Sequence, residues 1–416
     1  MILFWIFAGI TLFGIIGYLF QILAVRSALT NKHYAVTGRP RGITIEKSTH
    51  YFEPDAYQPP VSILKPLKGL DDGLFDNLES FCNLDYPDYE LIFALQNRND
   101  PAHKVVSKIK DKYPSKDITI LVEQCSEGLN PKVNNLIPAY TKAKHDLILI
   151  SDSNVRVEKD YLTDIAEHMK DPTVGLVSNM IRGVSGRSLG AVMENLHLNT
   201  FIVGSVCFLD KYLRIPCVIG KSMLMRKAEL EAIGGFRSVK DYLAEDYIIG
   251  ERIHRLGKRV VLSSHLINNV NEYWGLKRFI NRHTRWGKLR WQIGGAKYLS
   301  ELVGNAVFIS FMPLVILPMS EASLLLAATV SSLKICHDIY IGSRLRLRLN
   351  PMTYLLSPLK DLIVGCIWFV PILSNTVAWR GNRYVIGTDS ALSPMPETGM
   401  WIFSHKVFSA IRARFA

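Results

Sequence analysis

The sequence predicts an α/β domain on a mainly parallel sheet, carried between apolar segments at either end that enter a membrane. Three observations lead there: short β-rich runs alternate with stretches of helical spacing between residues 59 and 300, residues 1–25 are almost uncharged, and the chain turns apolar again from about Gly304. Strands alternating with helices favour a parallel sheet covered on both faces. Apolar runs near ~20 residues favour helices that cross a bilayer.

Residues 1–25 are expected to form a transmembrane anchor. The basic start, short apolar core and small-residue cleavage site of a signal peptide are missing from them. Arg26, Lys32, His33, Arg39, Arg41 and Lys47 follow, and basic residues beside a first span mark its cytoplasmic side. The N-terminus is therefore expected outside and the next domain in the cytosol. Residues 26–58, punctuated by Gly38, Pro40 and Pro54, read as a basic linker that ends at Pro59-Pro60.

The domain itself is expected over 59–300. Its strands are "VSILK" (61–65), "YELIFAL" (89–95), "DITILV" (117–122), "DLILIS" (146–151) and "VGLVS" (174–178), with helical spacing over Gly73 to Cys82 and Asp100 to Lys112. Leu189 to Leu209 is apolar but interrupted by Glu194, His197 and Asn199, which favours an amphipathic helix against the membrane or the sheet. "RHTRWGKLRWQ" (282–292) reads as a basic interfacial helix. Ala306 to Met319 and Ala322 to Ile335 are expected spans separated by Ser320 and Glu321, and the shorter run Leu362 to Leu373 spans or re-enters. These place a C-terminal membrane region at 301–375 and a basic amphipathic tail at 376–416.

The formal net charge of +12 does not point to nucleic acid, because the basic residues cluster beside apolar runs, where anionic headgroups lie. The six cysteines form no C-x-x-C pair, so neither a disulfide framework nor a zinc site is signalled and a reducing compartment suits the domain. "GKS" (220–222) is not a phosphate-binding P-loop, since Ile215 stands where a glycine is needed.

Acidic residues stand where chemistry is expected. Asp152 follows the apolar strand 146–151 and opens the polar triplet Asp152-Ser153-Asn154, and open α/β sheets bind ligands at the carboxyl ends of their strands. Asp100 follows the strand 89–95 and precedes Pro101, a position that also suits a helix cap. Glu245 and Asp246 open a helical segment, where the helix dipole alone favours acids, yet adjacent carboxylates also push their pKa values apart and divide acid–base work. Lys132, in "GLNPKVNNL" (128–136), precedes a helical stretch. Arg282 and Arg285 lie three apart with Trp286 beside them, suited either to phosphate contacts or to anchoring at an interface.

The order Asp100, Asp152, Glu245-Asp246 and R-x-x-R-W at 282–286, with "SILKPLKG", "GLNPKVNNL", "SDSNVRV", "SMLMRK", "LAEDY" and "RHTRWGKLR", resembles the inverting glycosyltransferases of the GT-A fold. Within them it is most similar to the ceramide glucosyltransferase family. The resemblance covers about residues 61–300. It implies transfer of glucose from UDP-glucose to the primary hydroxyl of ceramide with inversion, with Asp246 as catalytic base. Asp100, Lys132, Asp152, Glu245, Arg282, Arg285 and Trp286 would bind the donor, and Asp152 would hold a divalent cation, Mg²⁺ or Mn²⁺. Many relatives have Asp-x-Asp where this chain has Asp152-Ser153-Asn154, a departure that ceramide glucosyltransferases share. The implied partners are UDP-glucose, ceramide or a similar lipid, and the membrane, either a bacterial inner membrane or one of Golgi type. A diacylglycerol, hopanoid or polyprenyl phosphate acceptor is the alternative.

Overall fold

The structure is a computed structural model that describes residues 2–30, 57–316, 320–347, 349–379 and 382–395. Most of the expected linker (26–58) and the stretch 396–416 of the expected tail lie outside the described residues.

Among the described residues eleven strands are formed: β1 (Val61–Pro66), β2 (Tyr89–Leu95), β3 (Ile118–Val122), β4 (Leu147–Ser151), β5 (Val155–Arg156), β6 (Val174–Val184), β7 (Ser222–Arg226), β8 (Arg259–Val270), β9 (Thr376–Trp379), β10 (Asn382–Ile386) and β11 (Leu392–Pro394). The first eight make one sheet in the order β3-β2-β1-β4-β7-β6-β8-β5. Its pairings are parallel except those of β7, inserted antiparallel between β4 and β6, and of β5 at the edge. β1, β2 and β4 are buried along their whole length, as expected of strands covered by helices on both faces. Successive side chains still alternate between layers. In β4, Leu149 joins Phe81, Ile109 and Tyr161 on one face, while Ile148 and Ile150 join Leu136, Leu230 and Ile249 on the other.

Four helical stretches among the described residues are long and apolar enough to cross a membrane: Ile2–Thr30, Leu189–Leu213, Glu321–Arg344 and Pro351–Leu373. Leu189–Leu213 is mostly buried. Its Val203 and Cys207 pack with Met180 and Leu262 of the sheet and with Ala24, Val25 and Ile341 of the apolar helices, so this segment joins the two parts of the molecule.

The span expected from Ala306 is described as far as Ile316, as the helix Ala306–Ile316. It continues the helical segment Leu276–Gly304 through a 72° bend. The tail expected from residue 376 instead begins with the three-stranded antiparallel sheet β9–β11, because Val377, Tyr384, Ile386 and Leu392 bury against Leu243 and Leu289 of the α/β domain.

Candidate active site

The carboxyl ends of the parallel strands β1, β2 and β4 lie at one edge of the sheet, and Asp152 follows β4 there. Lys65 fixes its position. This lysine ends the apolar run of β1, is fully buried, and donates to Ser151 Oγ (3.1 Å) and to the Asp152 carbonyl (2.9 Å), with its ammonium 3.5 Å from the centroid of the Phe81 ring.

The Asp152 carboxylate is held by two lysines. Lys132 Nζ lies 3.0 Å from Oδ1 and Lys221 Nζ lies 2.8 Å from Oδ2. Lys132 sits near the start of the helix Pro131–Lys142, whose cap Asn130 accepts from the backbone N–H groups of Lys132 and Val133. Lys221 precedes β7, and the register Ser151↔Ser222 sets it opposite Asp152 on the neighbouring strand.

Lys132 also connects Asp152 to the paired acids. Its ammonium lies 2.9 Å from Glu245 Oε1 and donates to the Gly220 carbonyl at 3.0 Å. Glu245 Oε2 accepts from the Asn130 amide (3.1 Å), so both oxygens of Glu245 hold the lysine and its cap in place. Asp246 faces Gly220 instead. Its Oδ2 accepts from Gly220 N–H (2.8 Å) and its Oδ1 from Tyr247 N–H (2.8 Å). A Cβ on residue 220 would stand 2.4 Å from Asp246 Oδ2. That close approach explains the glycine in "GKS", which had pointed only to a failed P-loop.

The electrostatics separate these groups. Burial, and next the charge of Glu245, raise the Asp246 carboxyl to about 6, despite Lys132 and the two backbone donors. Burial also disfavours the charged form of Asp152, but Lys132 and Lys221 outweigh it and hold this carboxyl below the usual carboxylate range. Burial pulls Lys132 down, while Asp152, Glu245 and Asp246 more than reverse that and keep it a cation. For Lys221, burial wins over the attraction of Asp152 and leaves it below the ordinary lysine value. Asp246 is thus the carboxylate suited to taking a proton near neutral pH.

The remaining candidates divide. Asp100 lies at the same edge, where its carboxylate caps the helix Pro101–Lys112 through Ala102 N–H (2.9 Å) and fixes the turn after β1 through Gly69 N–H (2.9 and 3.0 Å). Beside it a cleft of about 470 Å³ is lined by Gln96, Asn97, Arg98, Val122 and Gln124. Arg282, expected to contact the donor, has its Nε 3.2 Å from the buried Glu194, a carboxylate whose charge is offset by Arg282, by His283 (2.8 Å) and at longer range by Lys221. The Arg282 guanidinium lies over the rings of Trp286 and Trp274, 4.4 and 5.1 Å from their centroids. Trp286 packs edge-on to His283 and against the core under the sheet. Arg285 reaches the ring of Trp379 in β9, 6.0 Å from its centroid. The small sheet also braces the loop before the paired acids, since Leu243 N–H donates to the Ser390 carbonyl (3.0 Å) and Ala244 N–H to Ser390 Oγ (3.2 Å).

The fit to the expected cation is tested by the ligands at Asp152. Mg²⁺ and Mn²⁺ are held by oxygen atoms, mainly carboxylates. Here the one carboxylate has an ammonium on each oxygen, and the Asn154 Oδ1 that would stand second accepts from Lys221 Nζ at 2.8 Å. A divalent ion there would have to displace both ammonium groups from the oxygens it needs. These residues do not fit a divalent cation held by the protein. Asp160, Asp164 and His265 do bring ligand atoms within 4.8 Å of one another, but they lie after β5 and within β8, with His265 Nδ1 already 2.7 Å from Asp164.

Comparison with known proteins agrees with this architecture. The mannosyltransferase PcManGT of Pyrobaculum calidifontis, solved in complex with GDP-Man and Mn²⁺, shares the fold at a TM-score of 0.50 and 17% identity, over 88% of this chain and 99% of that one. Ceramide glucosyltransferase 3 of Caenorhabditis elegans is 28% identical over 357 residues, or 83% of this chain and 76% of that protein. Ceramide glucosyltransferase 1 of the same organism is 33% identical over 253 residues, or 59% of this chain and 53% of that protein. The model of glycosyl transferase family 21 matches residues 18–392. With that match over most of its length, a GT-A sheet and a carboxylate raised to about 6 at the sheet edge, the chain belongs to glycosyl transferase family 21 and is a nucleotide-sugar glycosyltransferase.

Proposed function

We propose that this glycosyltransferase moves glucose from UDP-glucose to the primary hydroxyl of ceramide with inversion, at the cytosolic face of the membrane in which its apolar helices sit. The observation that carries the reading is the pairing of Asp246, raised to about 6, with the cationic cluster around Asp152, in a chain similar to proteins named ceramide glucosyltransferases. The donor diphosphate lies along Lys132 and Lys221, and its nucleoside occupies the cleft beside Asp100. The lipid hydroxyl approaches the anomeric carbon from the side opposite the diphosphate. Asp246 takes its proton as the new C–O bond forms. The electrons of the breaking C–O bond pass to the phosphate oxygen, so UDP leaves and the configuration inverts.

Other residues hold this geometry. Glu245 keeps Lys132 against Asp152 and, by its charge, helps raise Asp246. Trp286, positioned by Arg282 and His283, supplies an apolar wall beside the acceptor, while Arg285 assists with the diphosphate. Mn²⁺ accompanies GDP-Man in the solved mannosyltransferase and would neutralise leaving-group charge wherever bound. In this chain Asp152 would have to hold it, against two lysines, so no step is assigned to it.

The reading is tested by incubating the purified chain with a panel of labelled sugar nucleotides and lipids. UDP-glucose with ceramide is expected to give product fastest. Preference for diacylglycerol, a hopanoid or a polyprenyl phosphate would replace the acceptor and leave the sugar-transfer chemistry in place.

A further inference from the structure

The ammonium of Lys221 lies 2.8 Å from Asp152 Oδ2 and 2.8 Å from Asn154 Oδ1. It therefore sits between the two side chains that would be the ligands of a divalent cation in an Asp-x-Asp arrangement. Its place is set by the sheet, since the antiparallel pairing of β4 with β7 at Ser151↔Ser222 makes Lys221 and Asp152 neighbours across the strands. Lys132 stands on the other oxygen of the same carboxylate at 3.0 Å. The three side chains are 17–23% exposed, enough for a diphosphate to reach them and too little for bulk water to screen their charges fully. An ammonium has three N–H donors and no acceptor, so Lys221 keeps one beyond its bonds to Asp152 and Asn154.

The geometry points to Lys221 as a built-in replacement for the metal ion: its ammonium, with that of Lys132, binds the donor diphosphate and offsets the charge of the departing UDP. The inference rests on the proposed use of a nucleoside diphosphate sugar. Asp152 then serves as the anchor that aims two cations at the phosphates. Asn154 is part of the device, because its amide oxygen accepts from an ammonium while adding no negative charge. When the bond from the anomeric carbon to the phosphate oxygen breaks, its electron pair remains on that oxygen, and the two ammonium groups lie where this charge develops. No ion has to enter or leave with the nucleotide.

The test uses the full chain in lipid nanodiscs, with UDP binding measured by titration calorimetry in excess EDTA and again in millimolar Mn²⁺, and glucose transfer followed in parallel. UDP is expected to bind the parent with the same affinity, within about twofold, in both conditions. Lys221→Met, which keeps the length of the side chain and removes its charge, should bind UDP roughly 10- to 100-fold more weakly in EDTA. Lys221→Arg should retain most of the binding. In the double variant Lys221→Met with Asn154→Asp, which restores two carboxylates and clears the ammonium, UDP binding should become dependent on Mn²⁺. Parent binding that disappears in EDTA and returns with Mn²⁺ would overturn the inference and leave the proposed function standing. So would a folded Lys221→Met protein that binds UDP like the parent in EDTA. A parent that binds UDP in neither condition would remove the proposed donor, and this inference with it. Thermal melting of each variant establishes its fold, and the parent arm decides even if a variant does not purify.

Discussion

Replacing Asp246 by asparagine keeps the size of the side chain and removes its basicity. Two consequences can be worked out from the site. If this carboxylate takes the acceptor proton, turnover should fall by ~10²–10⁴, the usual contribution of a positioned base, while UDP binding changes little. The parent should show an acidic limb in kcat/KM near pH 6, where Asp246 gains its proton, and the variant's residual rate should lack it. The second consequence concerns stability. An acid raised from 3.8 to about 6 by burial and by Glu245 carries an ionisation cost in the folded state, on the order of 3 kcal/mol. That cost is absent below the ordinary carboxylate value, grows as pH rises from about 4 to 6, and is full above it. Asparagine carries no such cost, although turning an N–H donor toward Gly220 or Tyr247 costs about 1–3 kcal/mol at every pH. The thermal midpoint of the variant relative to the parent should therefore climb between about pH 4 and pH 6 and level off above that. Near-parent turnover, or a relative midpoint that does not move with pH, would refute the assignment.

Four further outcomes follow from the same contacts. Gly220→Ala should lower transfer by roughly 10²-fold through displacement of Asp246, with UDP binding largely kept, because the added Cβ would stand 2.4 Å from its Oδ2; unchanged kinetics would show that the pair yields without harm. Glu245→Gln should shift the acidic limb of kcat/KM downward, since one of the two main influences raising Asp246 is lost; an unmoved limb would separate the two acids. Asp152→Asn should lower stability at pH 7 by about 1–3 kcal/mol, because Lys132 keeps Glu245 and Lys221 keeps Asn154 but both lose the carboxylate between them, and the deficit should shrink as pH falls below about 4, where the depressed carboxyl loses its advantage over the unfolded chain; melting across that range checks it. Trp286→Ala should reduce transfer to ceramide while circular dichroism and membrane insertion stay as in the parent; undiminished transfer would leave the indole as an interfacial anchor.

Much of the sheet was legible because its strands announce themselves locally. "YELIFAL" and "DLILIS" are apolar runs of strand length, and both became strands within one residue of the expected bounds. β7 and β8 were harder to read, since their residues are interrupted by Ser222, Ser263, Ser264 and His265, and their pairing depends on partners far away in sequence. The same distance hid Lys221. Nothing in "GKS" indicates an aspartate 69 residues earlier; the signal was the short apolar strand that follows it, once paired with β4. Charge misled at the membrane end. The second apolar run was expected to stop near Ile335, before His337 and Asp338, yet the helix continues to Arg344 because Lys334, one turn earlier, lies 2.6 Å from Asp338 and His337 bonds the same carboxylate. Arg282 shows the limit of motif reading, since its partner Glu194 lies in a segment whose apolar composition made that acid look like an interruption.

The most direct measurement supplies UDP-α-glucose and ceramide to the purified chain in nanodiscs and determines the anomeric configuration of the product by proton NMR. β-linked glucosylceramide, formed by the parent and nearly absent with Asp246→Asn, is the expected result. An α-linked product, or no glucosylceramide from a folded parent that binds UDP, would contradict it.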